Sequence, residues 1–291
     1  MHISLESEVI YAHRGLIDFN QDRSSKGEQN IQNEEKPWIV PLYNFDSDIG
    51  SLRLDETICF RRKRKDELPD NLVIRLDTAL KIAIDFSEYV LEFRMRNFDF
   101  HELERIIFAL RLMGSGDVKA YNAIRLAHAD EKEGSMILTT FYSQNVYSAR
   151  TYFLKGEASR NLADIWKKLR DVASKEYLDF PLRLFMNTYE TNIPVEKIVD
   201  YMTIFESLTF YGRDKAIEPA GEVIGIALGM MLGKDEHERS EMKEILTEAY
   251  RVRNARVHGN LKKLPQPQEI AKLAMKVEDC VRFTLRKFVE E

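Results

Sequence analysis

A chain of 291 residues, 44% of them hydrophobic, is long enough for one large domain or two ordinary ones with a substantial core. Its formal net charge of −5 excludes a broad cationic surface, so any nucleic-acid contact has to be a local basic patch on an acidic body. The two cysteines, Cys59 and Cys280, exclude a disulfide framework and a paired-cysteine zinc site, and they fit a reducing cytosol.

Residues 1–20 carry Glu6, Glu8, Arg14 and Asp18 and no apolar leader-like run. The longest apolar run, 223–232, is broken by glycines and too short to cross a bilayer. The expectation is a cytoplasmic protein that does not enter a membrane. Residues 20–37 are polar and read as a loop. Trp38 to Tyr43 reads as a short strand. Leu52 and Leu54, then Ile58 and Phe60, alternate with polar neighbours on either side of Asp55-Glu56, the pattern of a hairpin. The basic run Arg61 to Lys65 suits a nucleic-acid patch or, more commonly, the solvated end of a strand offset by Asp66 and Glu67.

Tyr89 to Phe93 and Val118 to Leu126 read as strands with a helix between them. Leu103, Ile106, Ile107 and Leu110 recur at helical spacing over 101–112, behind Asp99 as N-cap. Met136 to Tyr142 and Tyr147 to Leu154 are further strand candidates. Arg125 and His128 carry no evident site role, and Asp130, Glu131 and Glu133 read as an exposed acidic turn without metal-ligand geometry.

The pattern changes after Gly156. Helices are expected over 157–173, 179–189, 195–210 behind Pro194, 218–232, 235–257 and 267–290. The helix over 218–232 is almost wholly apolar and is expected to be central. Its Gly221, Gly225 and Gly229 fall on one stripe, which lowers helix propensity and predicts close backbone approach of a neighbouring helix. The expected fold class is α+β: a mixed domain with antiparallel strands over 1–155, then an all-α bundle of five or six helices over 156–291.

The chemistry concentrates in 251–263, which holds Arg251, Arg253, Arg256, Lys262 and Lys263 and no acid. Met242, Ile245, Leu246, Ala249, Tyr250, Val252 and Val257 form the apolar stripe of the preceding helix. Arg253 follows Leu246 by seven and Ala249 by four, so it projects from that stripe and requires an anion. Glu206, near the apolar face of its own helix, is a candidate partner across the bundle or an ordinary half-solvated carboxylate. Gly259 suits a left-handed cap, which ends the helix beside His258 and frees the imidazole to turn toward Arg253. Basic residues at a helix C-terminus also have a plain electrostatic explanation, since they favour the negative end of the dipole. Spacing alone is weak: Arg96-Asn97 and His101 repeat the Arg-Asn-x-x-x-His pattern in a strand-turn-helix context, and that copy is expected to be inert.

Tyr250 to Gly259 resembles the signature of the HEPN superfamily (higher eukaryotes and prokaryotes nucleotide-binding), and the resemblance extends over roughly 156–291, with Phe205-Glu206-Ser207-Leu208 similar to the helix that precedes the motif. More loosely, Trp38 to Glu67 resembles the N-terminal domain of ApeA-like abortive-infection proteins. The resemblance implies a metal-independent endoribonuclease of antiviral defence or abortive infection, without a cofactor or a metal site, in which the ribose 2′-hydroxyl is activated against the adjacent phosphate. It implies catalytic roles for His258 as general acid or base, Arg253 as phosphate clamp and Asn254 as orienting group. Arg251, Arg256, Lys262 and Lys263 would bind RNA, and Glu206 and Tyr250 would support the site. It also implies a homodimer in which two motifs line one cleft. Asn260 departs from the subclass regulated by nucleotidyltransferase antitoxins, which has a tyrosine there. Many relatives keep the fold as non-catalytic binding modules, which is the alternative reading.

Overall fold

The computed structural model describes residues 37–64, 87–126, 136–140, 150–172, 175–212 and 220–291. The expectations for residues 1–36, for Lys65 to Glu67, for His128 and the acidic turn at 130–133, and for strand at 141–149 lie outside the described residues.

The first half holds β1 (Trp38–Leu42), β2 (Phe45–Ser47), β3 (Ser51–Arg53), β4 (Ile58–Arg62), β5 (Tyr89–Phe93), α1 (Phe100–Met113), β6 (Asn122–Leu126), β7 (Met136–Thr140) and β8 (Tyr152–Leu154). Six strands form one sheet in the order β3-β4-β5-β1-β6-β7, with every neighbouring pair antiparallel. The expected hairpin is β3–β4, where Asp55 Oδ1 accepts from the N–H groups of Thr57 (2.7 Å) and Ile58 (2.8 Å). β1 is an inner strand that contains a proline. Pro41 is tolerated because β6 pairs with β1 only at Ile39, so no ladder bond is lost on that side.

The antiparallel strands are as expected, and β2 and β8 add a parallel pair outside the main sheet. Their residues lie far apart in sequence, where no hairpin signal exists. The basic run does end β4, with Arg62 and Arg64 exposed, but its first member, Arg61, is turned inward. It is 9% exposed, and its Nε donates to Glu92 Oε2 at 2.7 Å while Arg94 Nε donates to Glu92 Oε1 at 2.7 Å. Burial pushes the Glu92 carboxyl up, and the two guanidiniums more than offset it, leaving Glu92 below its ordinary value. Arg62 faces outward, its Nε donating to Tyr89 Oη at 3.1 Å.

Asp99 caps α1 as expected, its Oδ1 accepting from His101 N–H (2.9 Å) and Glu102 N–H (3.2 Å). Trp166 Nε1 donates to Glu102 Oε2 at 2.9 Å, so the start of α2 (Ser159–Asp171) belongs with the strands. The described residues fall into two compact units that divide inside α2, after Trp166.

The second unit is helical: the end of α2, then α3 (Glu176–Asn187), α4 (Pro194–Thr209), α5 (Ala220–Leu232), α6 (Glu236–Val257) and α7 (Pro267–Glu290). α4 is its central element, packing against α3, α6 and α7, with Ile198, Tyr201, Met202, Ile204 and Phe205 all fully buried. α5 is not central. Its glycine face packs on α6, whereas Ile226 and Met230 on the other side are 44% and 69% exposed. An all-round apolar helix reads as buried, but α5 packs mainly on α6 through its glycine face and only lightly on α4 and α7. α7 opens with a capping box between Gln266 and Glu269. Cys59 and Cys280 are both free, and burial pushes the Cys280 thiol up to about 11. Among the described residues, no helix is long and apolar enough to cross a membrane.

Candidate functional site

The site is built on the C-terminal half of α6. That helix starts at Asp235, whose Oδ1 accepts from Glu238 N–H at 2.9 Å. Its buried stripe is narrow: Leu246, Ala249, Val252 and Ala255. Ala255 replaces the expected Val257, which is 52% exposed because the helix ends there and the last turn leaves the core. Small residues at 249 and 255 keep α6 close to its neighbours.

The glycine stripe of α5 sets where α6 lies. A Cβ placed on Gly221 would sit 2.6 Å from Tyr250 Cδ1, one on Gly225 3.3 Å from Lys243 Cγ, and one on Gly229 3.0 Å from the Arg239 carbonyl oxygen. Close approach is therefore real along the whole contact, and at its end Gly221 makes room for the Tyr250 ring. That ring lies 5.6 Å from the Arg253 guanidinium carbon, within range of a cation–π contact.

Arg253 is held on two sides. Nη2 donates to Glu206 Oε2 at 3.1 Å, across from α4, and Nη1 donates to Asn254 Oδ1 at 3.0 Å. Both members of the ion pair are about a quarter exposed (22% and 24%), so the pair contributes on the order of 1 kcal/mol or less and acts mainly by fixing the guanidinium plane. The Arg253 Nε is buried and makes no hydrogen bond with the described residues.

The helix ends in a Schellman arrangement. Gly259 has φ +72°, its N–H donates to Arg256 O at 3.3 Å, and Asn260 N–H donates to Ala255 O at 2.8 Å. His258 is the last, half-helical residue, and its N–H reaches Asn254 O at 3.0 Å. Its side chain is exposed and forms no hydrogen bond or ion pair with the described residues, so the structure brings Arg253, Asn254, Tyr250 and Glu206 together and does not join the His258 side chain to them. Lys262 and Lys263 follow in one exposed 3₁₀ turn.

The basic stretch is less cationic in the fold than in the sequence. Arg251 pairs with Glu248 and Arg256 with Glu196, whose Oε1 accepts from Arg256 Nε at 2.8 Å and from Nη2. Neither Glu196 nor Glu248 stands out in the sequence as a site residue. A weak signal existed for the first: Glu196, Asp200 and Thr203 fall at i, i+4 and i+7 of α4, a polar stripe on an otherwise apolar helix. Burial, with Glu196 one turn away, pushes the Asp200 carboxyl up to about 6.

The 96–101 copy of the pattern is dispersed. Arg125 Nη1 donates to the Arg96 carbonyl at 2.6 Å, Phe98 packs on Trp38 and Phe93, Asp99 caps α1, and His101 Nδ1 lies 3.6 Å from Glu104 Oε2.

Set against family models, curated proteins and solved structures, the chain matches none of them.

Proposed function

We propose that the chain is a metal-independent endoribonuclease of the HEPN type, acting in the cytoplasm on RNA as part of a defence or stress response. The observation that carries the reading is a half-buried arginine, pinned by Glu206 and Asn254, one turn before an exposed histidine at a tightly capped helix end. A fixed guanidinium suits charge that builds on a phosphate undergoing displacement. An imidazole, which can both accept and donate a proton, suits removal of the 2′-hydroxyl proton or protonation of the leaving 5′-oxygen. Attack of the 2′-oxygen on the adjacent phosphorus breaks the bond to the 5′-oxygen and leaves a 2′,3′-cyclic phosphate.

One histidine moves one proton at a time, so the second transfer falls to a second copy. We therefore propose a homodimer in which Arg253 and His258 of both chains line one cleft. The assay is cleavage of a mixed RNA pool in EDTA by wild type and His258→Ala, with an oligonucleotide carrying a single 2′-deoxy position at the cut site. Products should end in a cyclic phosphate, and the deoxy position should resist. Equal cleavage at that position, or loss of cleavage in EDTA, overturns the chemistry. A non-catalytic RNA-binding module is the second reading. It is favoured by the absence, among the described residues, of any side chain that orients the His258 imidazole.

A further inference from the structure

Three of the five cations in 251–263 are already occupied. Arg251 is held by Glu248, Arg253 by Glu206 and Arg256 by Glu196, so the arginine side of the site is neutral at rest. Two of these carboxylates come from one helix. Glu196 and Glu206 are ten residues apart on α4, or about 15 Å of helix rise. They engage two arginines only three residues apart on α6, which therefore reach in opposite directions along α4.

We propose that Glu196 and Glu206 are internal stand-ins for backbone phosphates, and that they select a polynucleotide over any single phosphate. The inference rests on the ribonuclease reading for the identity of the ligand, and on the ion pairs alone for the exchange.

A lone phosphate that displaces one glutamate replaces one anion by another at the same guanidinium. It gains little and gives up its own freedom. A strand carrying successive phosphates behaves differently. Once its first phosphate has displaced Glu206 from Arg253, the next is delivered to Arg256 at high effective concentration, and the ordering cost is met only once. The displaced carboxylates lose little, because both already touch water: their side chains are 24% and 36% exposed. Lys262 and Lys263 in the exposed turn beyond His258 extend the track for the same strand. Arg253 keeps its Asn254 bond throughout, so the fork stays oriented while its partner changes.

Binding is the readout, with cleavage blocked by 2′-O-methyl substitution throughout a twelve-nucleotide RNA. The comparison is wild type against Glu196→Gln, Glu206→Gln and the double variant, at fixed ionic strength, with inorganic phosphate and inorganic polyphosphate as the other probes. Wild type should bind the RNA and show no saturable binding of inorganic phosphate. The double variant should bind the RNA about ten-fold more tightly, the scale of two partly exposed ion pairs removed together, and should acquire measurable binding of inorganic phosphate. Unchanged or weaker RNA binding by the double variant overturns the proposal. If its melting temperature falls, the same comparison is made with Glu196→Gln, the more exposed of the two. Tighter polyphosphate binding by the variants, with no RNA bound by any of them, would sink the ribonuclease reading and leave the exchange standing.

Discussion

The chain contains the pattern Arg-Asn-x-x-x-His twice, and the fold treats the two copies in opposite ways. At 96–101 the six residues bridge the end of a strand and the start of α1. Their polar groups find separate partners: the Arg96 carbonyl accepts from Arg125, Asp99 caps the helix, and His101 lies by Glu104. At 253–258 the residues stay in one helix to its last turn, and the polar groups serve each other: Arg253 takes Asn254 and Glu206, and Tyr250 lies beneath. A short motif acquires chemical meaning from the element that carries it, because only a continuous helix keeps residues one turn apart on neighbouring positions.

The largest test of this contrast is kinetic. His258→Ala should lower the RNA cleavage rate by on the order of 10²-fold or more, the scale of one general acid–base group, while His101→Ala should stay within a few-fold of wild type. Comparable losses from both would show that the wrong copy had been assigned. Arg253→Lys should also cleave poorly, since an ammonium keeps the charge and loses the planar fork.

A second test addresses the scaffold, which only the 253–258 copy has. Gly221→Ala pushes a methyl to 2.6 Å from Tyr250 Cδ1 and should cost about 1–3 kcal/mol in denaturant unfolding. The displaced ring should reduce cleavage as well. Full activity in a destabilised variant would show that Tyr250 does not support Arg253.

Glu104, beside His101, gives a pH-dependent test of the other copy. Burial is the main cause that pushes its carboxyl up to about 7, with Asp99 adding to the shift and Arg105 opposing it. A raised carboxyl pKa favours the neutral form in the fold. Its stabilising contribution is therefore complete below the ordinary value of 4.5 and is lost as pH rises through about 7. Glu104→Gln should match wild type in unfolding free energy at pH 4 and exceed it at pH 8, by roughly 1–2 kcal/mol for a side chain 25% exposed. An equal difference at both pH values would rule out titration of Glu104 as the cause. The smallest effect belongs to the cap. Asp99→Ala should lower the stability of the first unit by about 1 kcal/mol and leave cleavage unchanged.

Much of this was legible in the chain because its causes are local. The cap at Asp99, the 3.6-residue spacing of α1, the glycine stripe of α5 and the left-handed Gly259 are each written within a few residues. Glu206 was legible as a candidate because a carboxylate near the apolar face of α4 needs a cation. Glu196 left only the weak signal of a polar stripe and Glu248 none, since solvent-touching glutamates on helices are common and the arginine each one meets is fixed by how helices pack. Arg61 misled for a related reason: its partner Glu92 lies one strand over, and a basic run looks the same whether its first member points in or out. The outer face of α5 was misread because composition records apolarity without recording which side is covered.

The parallel β2–β8 pair has a consequence for how the protein is made. It joins residues 45–47 to 152–154, and Ser47 Oγ donates to the Leu154 carbonyl across 107 positions of chain. A contact of that separation forms late, because the entropy of closing so long a loop is lost before any bond is gained. During synthesis β2 must wait, with its edge unpaired, until the ribosome has delivered β8, more than a hundred residues afterwards. The helical unit has no comparable delay, since α5 and α6 are neighbours in sequence and meet as soon as both are out. In a refolding experiment the two units should therefore separate in time: helical signal should recover first, and burial of Tyr152 should set the slow phase.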